Sequence, residues 1–201
     1  MPSYPVNFTP ATPSSERLTL VNKQSVQASP YSGATSVVNN YSYWALELNF
    51  PRMSQTKAMA HSAWLDSLNG STGTFYYSPN TGVVAIPRTL TLAAGAFPMS
   101  NIVSIAGFAA NAPTGLLPGQ FVSIADQLVR LSVVAATADG QGRAVVEFNP
   151  PLGAGKPVGT SVNTSNPRGI FRLMMAESGT GYQVDFDRAP EFSTLVAVEA
   201  L

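Results

Sequence analysis

Between Tyr43 and Phe50 the chain alternates: Trp44, Leu46, Leu48 and Phe50 share one face, while Tyr43, Ala45, Glu47 and Asn49 share the other. That period of two predicts a half-buried strand. Pro51 cannot donate to a ladder, so pairing is expected to stop there. Ser54 stands where an N-cap belongs, and Ala58, His61, Trp64, Leu65 and Leu68 recur at helical spacing, which predicts a helix over 55–68. Gly70 suits the left-handed residue after its last turn. Thr74–Tyr77 then returns as a strand. A helix of about four turns is marginal alone in water. It must draw its stability from packing Trp64 and its neighbours onto the strands.

Around this strand-helix-strand unit, taken as residues 36–80, the pattern divides the chain. Residues 1–35 hold Pro2, Pro5, Pro10, Pro13 and Pro30 among Ser and Thr, with Arg17–Val21 as a first strand and the rest as an extended arm. Val37-Val38 and a turn at Asn39-Asn40 lead into the unit. Residues 81–165 are rich in Gly, Ala and Pro, with short strands at Val83–Ile86, Phe121–Ile124, Leu128–Val134 and Ala144–Phe148. In residues 166–201, Ile170–Met174, Tyr182–Phe186 and Leu195–Glu199 resume hydrophobic strands that can pair with the first unit. The expected fold is mainly β: a β-sandwich or split barrel with one flanking helix, built from 36–80 and 166–201, plus a small inserted β-barrel-like domain at 81–165. Its core anchors are Trp44, Leu46, Leu48, Phe50, Trp64, Leu65, Leu68 and Phe75.

Composition narrows the function. Charged residues are 11% of the chain, against roughly 25% in ordinary soluble domains, and the formal net charge is zero, so the surface is one that associates. Lys and Arg form no cluster, which argues against binding nucleic acid through its phosphates. Cysteine is absent, which removes disulfides and thiolate metal sites. No basic-then-apolar start reads as a signal peptide and no apolar run is long enough to span a membrane, so synthesis in a cytosol is expected.

Candidate chemistry is sparse. His61 is the single histidine and lies in the helix stripe, where a core or interface role is the simplest reading. With one histidine, no cysteine and no Gly-x-Ser-x-Gly elbow, nucleophile-base catalysis has little to build on. Asp185 and Asp187 share a strand face with Glu191 nearby, a pattern open to a carboxylate pair or a calcium site but explained by a solvent-facing strand edge. Gly153-Ala154-Gly155-Lys156 lacks the Walker spacing and reads as a turn after Pro150-Pro151. Arg168 and Arg172 flank Gly169-Ile170-Phe171 and read as ion-pair partners. No catalytic residue, cofactor or metal is expected.

Taken in order, Trp44-x-Leu46-x-Leu48-x-Phe50-Pro51-x-Met53, Leu68-Asn69-Gly70-x-x-Gly73-Thr74-Phe75, Leu117-Pro118-Gly119-Gln120-Phe121, Asp139-Gly140-Gln141-Gly142-Arg143, Asn149-Pro150-Pro151-Leu152 and Asn166-Pro167-Arg168-Gly169-Ile170-Phe171-Arg172-Leu173 resemble the distal tail proteins of long-tailed bacteriophages, across residues 30–186. The resemblance implies a structural subunit of the virion's tail tip, made in the host cytoplasm. It implies a ring, commonly hexameric, that joins the tail tube to the central hub and anchors peripheral fibre proteins. A tail-tube or tube-terminating subunit, or a carbohydrate-binding tail module, would share much of this pattern. In 81–165 the aromatic residues are Phe97, Phe108, Phe121 and Phe148, with no Trp or Tyr, which favours a docking module over a sugar-stacking one.

Overall fold

The computed structural model describes residues 3–9, 11–174, 182–184 and 190–200. The fold is mainly β with one helix, and it joins an antiparallel sheet to a closed six-stranded barrel. The alternation at Tyr43–Phe50 lies within strand β2 (Thr35–Asn49), which pairs with β1 (Ser15–Ala28) as an antiparallel hairpin. Helix α1 (Gln55–Ser67) leads to β3 (Thr74–Tyr77). Strands β4 (Leu90–Leu92), β5 (Ile102–Ala106), β6 (Phe121–Ile124), β7 (Gln127–Val134), β8 (Arg143–Asn149) and β9 (Ser161–Asn163) close the barrel in the order β4-β5-β8-β7-β6-β9. The chain then returns to the sheet through β10 (Gly169–Leu173). A small pair, β11 (Tyr182–Val184) and β12 (Pro190–Phe192), precedes the last strand, β13 (Leu195–Glu199).

The sheet runs β1-β2-β13-β10-β3. Its inner face carries Trp44, Leu46, Leu48, Phe75, Phe171, Leu173, Leu195 and Ala197, all buried, and α1 covers that face with Ala58, His61 and Leu65. Phe50 and Leu68 are buried beside them, whereas Trp64 is only partly buried and its indole N–H donates to the Asn7 carbonyl at 2.9 Å. The sheet also curls: the Tyr77 hydroxyl on edge strand β3 donates to the Glu16 carboxylate on the opposite edge strand β1. Glu16 further accepts from the Asn80 backbone N–H at 3.0 Å, so one carboxylate holds the two edges together. The barrel has its own core, with Ile105, Ile124, Val129, Leu131, Phe148 and Leu152 among its buried side chains. Phe121 and Leu128, though on barrel strands, pack into the core of the sheet.

Several expectations are corrected. The first strand does not end at Val21 but runs to Ala28, and Asn39-Asn40 is no turn: it lies inside β2 at a bulge opposite Lys23/Gln24, while the reversal falls at residues 29–34. The physical reason is exposure. Beyond Val21 the hairpin has solvent on both faces, so no apolar alternation marks it. Ahead of β1, Val6 bridges in parallel to Phe75 and Phe8 packs edge-on against Trp64 and Tyr77, so this stretch lies on the sheet core. Ser54 occupies the N-cap position with extended backbone, but its hydroxyl makes no capping bond; its carbonyl accepts the first helical N–H, from Ala58, at 2.9 Å. Asn69, not Gly70, is the first left-handed residue after the helix, at φ 49°. Gly73 is the glycine this turn requires, since a Cβ there would stand 2.4 Å from the Leu68 carbonyl oxygen. Val83–Ile86 forms no strand, and β4, β5 and β9 were not anticipated, because strands of three to five residues between Gly and Pro carry too few alternations to read.

Candidate functional site

Strand β13 pairs with β2 only between Ala45 and Leu48. At the next residue the Trp44 backbone N–H donates to the Glu199 carboxylate at 3.3 Å instead of to a strand, which ends the ladder there. From Tyr43 to Thr35, β2 has β1 on one side and, among the described residues, no strand on the other; β1 pairs with β2 alone. The far half of the hairpin is therefore a two-stranded arm, roughly 25 Å long at the usual rise per residue, with an open edge on each side. Its tip presents Tyr31, 98% exposed, and its shaft presents Val26 and Val37, 64% and 54% exposed, directly opposite one another. Exposed edges are ordinarily blunted by proline, charge or brevity. β1 is 14 residues long, has no proline, and carries charge only at Glu16, Arg17 and Lys23.

At the root of the arm, on the outer face of the sheet, the rings of Tyr41 and Tyr43 stack at 5.9 Å with 20° between their planes. They line a cleft of about 390 Å³ with Arg172, Met174, Val198 and Ala200. Tyr41 is 53% exposed. The cleft is therefore an aromatic surface with Arg172 and Glu199 as the charged residues of its lining, built mainly on strands.

A second arrangement joins sheet to barrel. The Glu199 carboxylate, buried at the seam, accepts from Trp44 N–H on the sheet side and from Leu128 N–H on the barrel side, the latter at 3.2 Å. Trp44 Nε1 donates in turn to the Leu128 carbonyl at 2.9 Å, so both backbone polar groups of Leu128 are satisfied from across the seam. Phe121 meets the Trp44 ring edge-on at 5.3 Å, and the Arg130 guanidinium lies 5.4 Å from its centroid. Gly169 passes close enough that a Cβ would touch Leu128 Cβ at 3.0 Å. Burial pushes the Glu199 carboxyl up to about 7, against the two backbone N–H groups that favour its charge.

Among the described residues, the chemically suggestive ones do not converge. His61 is buried on α1, 4.4 Å from the Phe50 ring and 4.5 Å from that of Phe192, and hydrogen-bonds through Nδ1 with the Thr9 hydroxyl at 2.7 Å. Burial lowers its pKa to about 4, which leaves it neutral at pH 7. Asp185 and Asp187 lie outside the described residues, while Glu191 pairs with Arg52 at 3.3 Å. Arg168 pairs with Asp126 on the β6–β7 turn at 3.0 Å and lies 4.0 Å from the Tyr76 ring centroid, so it braces the barrel against the sheet. Arg172 instead lines the tyrosine cleft. Near Gly153–Lys156, Lys156 exchanges two backbone hydrogen bonds with Ala96, at 2.8 and 2.9 Å. Among the described residues no three His, Asp or Glu side chains lie together as a metal site.

Sequence reasoning missed the arm, the tyrosine pair and the Glu199 seam. A signal for the arm exists: Ser29-Pro30-Tyr31-Ser32-Gly33 is turn chemistry, and β-branched Val26, Val37 and Val38 lie on either side of it. No protein-family model matches the chain, and no curated protein matches it.

Proposed function

We propose that this protein is a non-enzymatic structural subunit of a bacteriophage tail tip, which forms a ring joining the tail tube to the central hub and anchoring peripheral proteins. The observation that carries this reading is the two-stranded arm with an open, unprotected edge on each side. Such an arm presents two different surfaces to its surroundings. Identical copies that pair unlike edges make a heterologous contact, which must close into a ring or run on as a filament. The sparse charge and the exposed Val26, Val37 and Tyr31 suit surfaces that are covered in an assembly. The phage resemblance supplies the setting, a tail tip within the virion, and its segments run through the strand-helix-strand unit that supports the arm.

The barrel suits a docking role. Phe108, Phe121 and Phe148 are buried and only Phe97 is exposed, at 82%, so it offers neighbouring proteins an apolar contact and offers sugars no paired aromatic platform. Light scattering of the purified full chain, with micrographs of the same sample, tests the reading. Closed rings of one size are expected. Monomers at every concentration would overturn the proposal, and long stacked tubes would move the chain to the tail tube.

A further inference from the structure

We propose that the step where β13 ends beside β2, floored by the cleft under Tyr41 and Tyr43, is the acceptor for strand β1 of a second copy of this chain. This rests on the ring reading and names the contact that would make the ring. The step is a defined place. Glu199 caps the Trp44 N–H and so fixes where pairing on β2 stops, and the open edge begins at Tyr43. The donor is defined as well, because among the described residues β1 pairs with β2 alone.

Geometry and chemistry both point to a second copy. β1 and β2 run in opposite directions within one arm, so β2 of one copy and β1 of the next form an antiparallel ladder when the two arms point the same way. Neither arm has to reverse. In such a ladder the outward side chains of the incoming β1, among them Thr19 and Val21, stand beside the tyrosine rings. In their own copy Thr19 and Val21 already face Ala45 and Tyr43 on that same side of the sheet. Small and β-branched side chains against aromatic rings are favourable cross-strand neighbours. Donor and acceptor are different surfaces of one chain, so each copy uses both and a closed ring leaves neither open.

Two variants of the full chain separate the surfaces. Asn22 faces Ser42, which is in phase with Trp44; the Trp44 N–H points away from β1, so the Asn22 N–H points to the open side. Asn22→Pro therefore blocks the donor edge without removing a bond of the hairpin. Tyr41→Ser/Tyr43→Ser strips the acceptor. Each variant alone is expected to be a monomer by light scattering, with a cooperative denaturant-unfolding transition that shows it is folded. An equimolar mixture is expected to give a species of twice the monomer mass and nothing larger, since one live donor meets one live acceptor. A mixture that stays monomeric overturns the pairing of these two surfaces. Should the tyrosine variant assemble like the wild type, the acceptor is wrong while the ring reading stands. A wild-type chain that never assembles overturns both.

Discussion

The barrel and the arm are built from the same kind of element and end in opposite conditions. In the barrel each of the six strands has two neighbours, closure removes every edge, and the alternating side chains fill an interior led by Ile105, Ile124 and Phe148. In the arm, among the described residues, two strands have only each other, the Val26–Val37 pair faces water, and neither edge is paired. A closed structure is complete alone. An open ribbon of this length is not expected to stand isolated in water, and here it is held at its root by the curled sheet. The difference places the buried cores in the barrel and sheet, and leaves the arm as the surface to which the proposed association is assigned.

The sharpest way to break that comparison is a large-to-small change in the barrel set against a surface change in the arm. Phe148→Ala, in a fully buried barrel position, is expected to cost about 3–5 kcal/mol in denaturant unfolding, the usual penalty for emptying an aromatic core site. A smaller but still decisive loss is expected at the seam. Trp44→Phe keeps an aromatic ring in a smaller side chain but removes the indole donor and leaves the buried Leu128 carbonyl unpaired, a loss that by itself costs about 1–3 kcal/mol. Retained stability in that variant would show that sheet and barrel do not depend on this bond.

The pH dependence is the next test, and its signs oppose. Glu199 is held at about 7, above its ordinary 4.5, so the folded protein binds the proton more tightly; the stability tied to that group is full below 4.5 and is lost as pH rises through 7. His61 is lowered to about 4 from 6.5, so its contribution is full above 6.5 and is lost as pH falls through 4. Between 4.5 and 6.5 the two slopes offset each other. Thermal melts of the wild type are expected to vary little across that window, whereas Glu199→Gln is expected to leave the histidine slope bare, with Tm falling steadily as pH drops. A Glu199→Gln profile identical to the wild type would remove the carboxyl from this role. The smallest effect belongs to the arm: Val26→Thr/Val37→Thr is expected to change unfolding of the isolated monomer by no more than about 0.5 kcal/mol, as surface changes do. The same variant would test whether these side chains contribute once the copies assemble.

What was legible in the sequence followed burial. Trp44, Leu46, Leu48 and Phe50 alternate because one face of β2 meets a core and the other does not, and Ala58, His61 and Leu65 recur because one side of α1 meets the same core. Leu128–Val134 and Ala144–Phe148 were readable as barrel strands for the same reason. The arm beyond Val21 was not, since neither of its faces is buried and its side chains record no preference. The seam was illegible for a different cause. Glu199 is one carboxylate at the end of an apolar strand, and only the approach of Leu128, 71 residues away in the chain, makes it a buried link.

By itself, then, the sequence determined which segments are half-buried strands, that one short helix follows β2, and that the chain carries few charges, one histidine and no cysteine. Hydrophobic periodicity is a local record of burial, so these follow without knowing the partners. Tertiary structure alone decided that a barrel closes while, among the described residues, a hairpin stays open, that the Trp44 N–H meets Glu199 where the β2–β13 ladder ends, and that Tyr41 and Tyr43 lie just beyond that point. Those depend on which strand lies beside which, and pairing between distant segments leaves no mark in the period of either.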